Sequence, residues 1–181
     1  MRNCTVCGKE FEPVFNSMQA VCGRRCAGQV GKIKRKAQAR TLRDRREAMK
    51  SVRELAFEAQ VVVNRYVRLR DHAQGCISCD KPATWQGQWH ASHLRSRGAA
   101  PQLRFHLWGI HKSCSICNNH KSGNIIDYLP RLVAKIGQDK VDWLYAQNQV
   151  VRYERAYLKR LKAVFAKKCR RLEKRIEEGK S

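Results

Sequence analysis

The sequence predicts a largely helical α+β protein, and three observations carry that prediction. Long proline-free stretches are rich in Ala, Arg, Lys, Glu and Leu, with apolar residues recurring at helical spacing. Eight of the nine cysteines fall in close pairs, Cys4/Cys7, Cys22/Cys26, Cys76/Cys79 and Cys114/Cys117. Between the last two pairs lies a short histidine-rich interval that suits a strand-turn-helix rather than a long helix.

Residues 1–27 read as a zinc knuckle. "CTVCGKEF" and "VCGRRC" give the spacing C-x2-C-x14-C-x3-C. Cysteines two or three residues apart offer two thiolates to one tetrahedral ion, and nothing near Met1 reads as an export signal that would favour disulfides instead. Metal binding then supplies much of the local folding energy.

Residues 28–75 read as a basic helical segment, one long helix or two. The first part, "KIKRKAQARTLRDRREAMK", is polar on every face; the second gains the stripe Leu55, Ala59, Val62, Tyr66 and Leu69. Residues 24–75 hold fifteen Lys and Arg against five Asp and Glu. An excess of one sign favours a phosphate-contacting surface over an ordinary solvated helix, and Lys34, Arg35 and Lys36 are its clearest representatives.

Residues 76–124 carry the chemistry. "GCISCD" and "SCSIC" are two C-x2-C corners, and four thiolates closing on one zinc leave no open position for a substrate. That ion staples; catalysis must come from the side chains held between and after the corners. These include His90, His93, His106, His111 and His120. Histidine moves protons near neutral pH and ligates metals, so their crowding points to a site.

Residues 125–181 complete the chain. "IIDYLPRLVAKIG" reads as a helix ending at Gly137, and "QDKVDWLYAQ" as a short one with Asp139 as its N-cap. A final helix over 150–178 carries the stripe Leu158, Leu161, Phe165, Leu172 and Ile176, with Cys169 beside it as a small buried hydrophobe.

The formal charge of +23 implies a polyanionic partner, and nucleic acid is the usual one. No apolar run is long enough to span a bilayer, so a soluble protein of the cytoplasm is expected.

A C-x2-C corner, a His-bearing hairpin, and C-x2-C-Asn opening a helix resemble the zinc-stapled HNH nucleases of the ββα-metal fold. "PQLRF", "IHKSC" and "CNNHKSGN", together with the N-terminal knuckle and basic helix, resemble the NinG (Rap) recombination proteins of lambdoid phages. This resemblance implies a structure-specific endonuclease acting on Holliday junctions and D-loops, working in the host cytoplasm among recombination proteins. It implies two structural Zn²⁺ ions and a catalytic Mg²⁺ or Mn²⁺. By position, His93 corresponds to the general base and Asn118 to a ligand of the catalytic cation. His111 and His120 are further candidates for that ligand set or for a phosphate contact. Arg95, Arg97, Arg104 and Lys121 are candidate phosphate contacts. A symmetric four-way junction also makes a homodimer attractive.

The sequence departs from the family pattern in two places. Ser92 stands where many HNH sites carry an acidic ligand, and His90 stands where related NinG sequences carry Asp; His90 either replaces that ligand or points to solvent. Gly109 stands where the middle Asn of the HNH pattern is expected. The competing reading is a non-catalytic zinc protein that binds nucleic acid.

Overall fold

The computed structural model describes residues 1–179, so the last two residues of the 125–181 region lie outside the described residues. The chain divides into two compact units, with the division between Lys50 and Ser51.

In the first unit, β1 (Arg2–Asn3) pairs antiparallel with β2 (Glu10–Phe11), and α1 (Arg24–Met49) follows. The hairpin turns through Gly8, at φ 72°, where a side chain would be strained. Its Cys4 and Cys7 meet Cys22 and Cys26 at the start of α1, with all four ligand atoms within 4.8 Å of one another. Cys26 is the sole buried residue of α1, so this helix owes its form to strong helix formers and its anchored first turn, not to a packed face.

The expected helical stretch through residue 75 is broken at Lys50, whose backbone leaves the helical region. Ser51 then opens α2 (Val52–Arg70) with a capping box: Glu54 N donates to Ser51 Oγ, and Ser51 N donates to Glu54 Oε2. Two helices therefore form, and the second begins a separate unit.

The core of the second unit is α2 against α5 (Arg155–Glu177). Leu55, Ala59, Val63 and Val67 of α2 are buried against Leu158 and Phe165. The buried stripe is centred on Val63 and Val67, and Val62 and Tyr66 pack at its margin. Cys169 is buried, as expected for a small apolar residue. The final helix starts at Arg155 rather than at 150 because Tyr153 is tied outside it, its hydroxyl donating to the Pro101 carbonyl 2.7 Å away.

Against this pair lies an antiparallel hairpin of β3 (Trp89–His93) and β4 (Ile110–Cys114), in register His90↔Ser113, Ser92↔His111 and His93↔Ile110. Its Ala91 and Ile110 join the α2–α5 core, which fixes the hairpin on the helices. A second core, with Tyr128, Leu132, Val141 and Leu144, joins α3 (Ile125–Ile136) and α4 (Gln138–Ala146) to the loop between the strands. α3 ends at Gly137, φ 88°, as the sequence predicts. Gly137 is also the N-cap of α4, so Asp139 sits in the first turn instead of capping it. There its charge faces the positive end of the helix dipole.

The architecture is mostly helical α+β with two small two-stranded sheets.

Candidate functional site

The second four-cysteine cluster shapes the site. Cys76, Cys79, Cys114 and Cys117 bring their ligand atoms within 4.8 Å of one another, and Cys79 Sγ lies 3.8 Å from Cys114 Sγ. In the first cluster Cys7–Cys22 and Cys22–Cys26 are each 3.6 Å apart. Zinc–sulfur bonds of about 2.3 Å in a tetrahedron require sulfur–sulfur edges of about 3.8 Å, so both clusters could hold zinc without rearrangement. Backbone N–H groups of Ser78 and Cys114 point at Cys76 Sγ from 3.4 and 3.2 Å, and that of Cys117 at Cys114 Sγ from 3.4 Å. Donors aimed at sulfur favour thiolates, the form a metal takes.

Around Cys117 the chain makes a π-helical turn (Ile116–His120) and then reverses through Ser122, Gly123 and Asn124, all at positive φ. Such a run is costly and needs support. It comes from Ser78, whose Oγ donates to the Gly123 carbonyl at 2.8 Å and whose carbonyl accepts from Asn124 Nδ2 at 2.7 Å. This loop and β3 wall a cleft of about 780 Å³ lined by His90, His93, Asn118 and Arg97.

His93 hydrogen-bonds through Nε2 to the Arg104 carbonyl at 3.2 Å. A carbonyl can only accept, so Nε2 carries the proton and Nδ1 keeps the lone pair. Burial lowers the His93 pKa to about 4; the Arg104 bond opposes this, while the Arg97 and Arg104 charges add to it. His93 is thus a neutral imidazole at pH 7, able to accept a proton.

Asn118 donates through Nδ2 to His90 Nδ1 and to Asn119 Oδ1, both at 3.1 Å. Its amide oxygen meets no protein donor among the described residues and is available to a cation. His90 lines the cleft rather than pointing away from it. Among the described residues no carboxylate lines the cleft, so the donors for a divalent cation there are carboxamide and hydroxyl oxygens and imidazole nitrogen. That set suits Mn²⁺ or another nitrogen-tolerant ion at least as well as Mg²⁺.

Other expected residues fall elsewhere. His111 is 3 % exposed and lies outside the cleft. Its Nε2 donates to the Trp108 carbonyl at 3.0 Å, and its Nδ1 accepts from Arg70 at 3.1 Å and Lys135 at 2.9 Å. With both nitrogens occupied and the ring sealed, it is a structural histidine. Arg104 is turned to α2, donating to Gln60 Oε1 and the Ala56 carbonyl. Arg95 closes the end of α4 through the carbonyls of Leu144, Tyr145 and Gln147. Neither guanidinium is free for phosphate. His120 and Lys121 are exposed on the turn and do not line the cleft. Lys34, Arg35 and Lys36 are exposed on α1 in the first unit. Gly109, where the middle Asn of the HNH pattern is expected, has no side chain to brace the hairpin; Tyr128 reaches both sides of it there, its hydroxyl 3.4 Å from the Ser92 carbonyl and 3.3 Å from that of Gly109.

Two features escaped the sequence reading. Asn64 and Arg68, one helical turn apart on α2, also line the cleft. Their i, i+4 spacing beside the buried Val63 and Val67 was the available signal. Asp71 is buried with its charge: Arg70 forks onto both oxygens at 2.8 Å, Lys112 N donates at 3.1 Å, and Lys135 stands at 3.5 Å. Burial alone would raise its pKa, but these partners outweigh it and hold the carboxyl well below the usual range. This knot ties the end of α2 to β4 and α3.

Fold and site together define a strongly basic protein with two four-cysteine clusters that could each hold a metal ion and a histidine–carboxamide cleft on a hairpin. A family model described as "Bacteriophage Lambda NinG protein" matches residues 1–177. "Protein ninG" of Escherichia phage 933W is 34% identical over 191 residues, covering 94% of this chain and 93% of that protein. "Protein ninG" of Escherichia phage lambda is 41% identical over 115 residues, covering 64% of this chain and 55% of its own length. The counterpart from Salmonella phage P22 is 40% identical over 115 residues, covering 64% and 56%. No solved structure matches the chain. The chain belongs to the NinG family of phage proteins.

Proposed function

We propose that this protein is a structure-selective DNA endonuclease with an HNH-like centre, acting on branched recombination intermediates in the host cytoplasm. The supporting observation is that His90, His93 and Asn118 share one cleft beside a four-cysteine cluster. Water enters the cleft and attacks phosphorus, with His93 Nδ1 taking its proton. The P–O3′ bond breaks and the departing 3′ oxygen takes a proton from solvent water, leaving a 5′-phosphate and a 3′-hydroxyl. Arg97 and Arg68, which both line the cleft, offer positive charge to the phosphate. Asn118 Oδ1, joined by His90 once its bond to Asn118 opens, would hold the divalent cation. That cation supplies charge neutralisation on the scissile phosphate and on the departing oxygen.

Helices as basic as α1 and α5 supply affinity through counterion release, and the shape of the junction supplies selection. Two copies acting as a homodimer would match a two-fold junction. The cleft without a carboxylate favours one second reading, a zinc protein that binds nucleic acid without cutting it.

A labelled four-way junction separates them. The nuclease reading expects nicks with Mn²⁺ or Mg²⁺ that stop when EDTA is added to the assay. Tight binding with no nick under either metal supports the second reading.

A further inference from the structure

We propose that the aromatic cleft between the 101–109 loop and the start of α5 seats an unpaired nucleobase. It is a hollow of about 450 Å³ lined by Phe105, His106, Tyr153 and Tyr157, within the range of pockets that hold small ligands. Tyr153 and Tyr157 are stacked, with centroids 5.7 Å apart and planes at 14°, and Phe105 meets Tyr153 edge-on at 5.2 Å. The Tyr153 hydroxyl bond to Pro101 locks this array to the loop. Tyr157 is 45% exposed, so an aromatic face is open to a planar ligand.

The polar groups match a nucleotide. His106 lines the hollow, and its Nδ1 is buried without a hydrogen-bond partner among the described residues, which costs free energy. Glu154 offers an acceptor for exocyclic amines, and Arg152 a cation for the adjoining phosphate. Stacking on aromatic rings is the sequence-tolerant way to hold single-stranded bases, and the +23 charge selects nucleic acid over a neutral ligand. The hollow and the histidine cleft have separate linings but are linked through Arg104. The Arg104 carbonyl that holds His93 immediately precedes Phe105 and His106. A branch point, where bases unpair, would place one beside the other.

This inference rests on the nucleic-acid reading above but not on cutting, so it is tested by binding without added Mg²⁺ or Mn²⁺. The probes are a single strand and a branched oligonucleotide, each with 2-aminopurine at an unpaired position, and a fully paired duplex. The full-length protein is expected to quench the unpaired 2-aminopurine. Tyr157→Leu keeps apolar volume but removes the ring, and should weaken single-strand binding roughly 5- to 100-fold while leaving duplex affinity unchanged. Tyr157→Phe should restore both affinity and quenching. Circular dichroism and zinc content check that each variant is folded.

The proposal is overturned if folded Tyr157→Leu weakens duplex and single strand equally, or neither, or if Tyr157→Phe fails to restore. It is also overturned if no unpaired base is quenched, which would leave the aromatic surface for a protein partner. Absence of cleavage would sink the nuclease reading and leave this one standing.

Discussion

His93 and Arg104 are joined by one hydrogen bond, Nε2 to carbonyl oxygen at 3.2 Å, and that bond decides which imidazole nitrogen can act as a base. It also shows why Arg104 matters without touching phosphate. Its guanidinium is tied to α2 through Gln60 and Ala56, so the carbonyl orienting His93 is held by the core.

The low His93 pKa predicts the pH behaviour of cleavage. With a folded pKa of about 4, the base stays neutral throughout the neutral range. Cleavage rates should show no His93 limb between pH 6 and 8 and should fall only near pH 4, for as long as the protein remains folded. A limb near 6.5 in a rate profile would contradict this.

Stability should fall over the same acidic range. His93 is depressed from 6.5 to about 4, and burial also lowers the pKa of His106 and His111. The unfolded chain therefore binds more protons. Stability is fully present above about 6.5 and is lost progressively as pH falls towards the folded values. Thermal melts from pH 7.5 to 4.5 should show Tm dropping, less steeply in folded His93→Ala.

Each four-cysteine cluster should be separable in its metal content. The intact protein should carry about two zinc ions per chain, one per four-cysteine set. Cys117→Ser should reduce this towards one and unfold the hairpin while the N-terminal cluster keeps its metal. Elemental analysis with circular dichroism reads both. A variant that kept two ions would refute the assignment.

Asp71→Ala should be severely destabilising, by about 3–5 kcal/mol, because Arg70 and Lys135 lose their buried counter-charge. Urea denaturation measures it. Arg95→Ala should likewise act on stability, through lost caps on α4. Arg97→Ala should leave the melt unchanged, weaken junction binding and shallow its salt dependence by about one unit.

The sequence reveals most where chemistry constrains spacing. Cysteine pairs can meet around one ion in few ways, so both four-cysteine sets were readable. The end of α3 was readable from Gly137, and the buried Leu158 and Phe165 of α5 from their helical periodicity. Contacts between distant segments were not. Nothing local announces that Arg95 will be spent on the carbonyls of α4, or that His111 will be sealed beneath Arg70 and Lys135. Asn64 and Arg68 reach the cleft because α2 packs beneath β3, which is a fact of tertiary structure. The break at Lys50 was hidden because both sides of it favour helix, although Ser51 and Glu54 spelled out the cap.

Cleavage of a four-way junction by His93→Ala, set beside its binding at the same salt, shows whether this imidazole is the base. Metal-dependent nicking should fall by about 10²–10⁴-fold, with junction affinity and zinc content retained. A folded His93→Ala protein that cuts as fast as the unaltered chain would contradict that role.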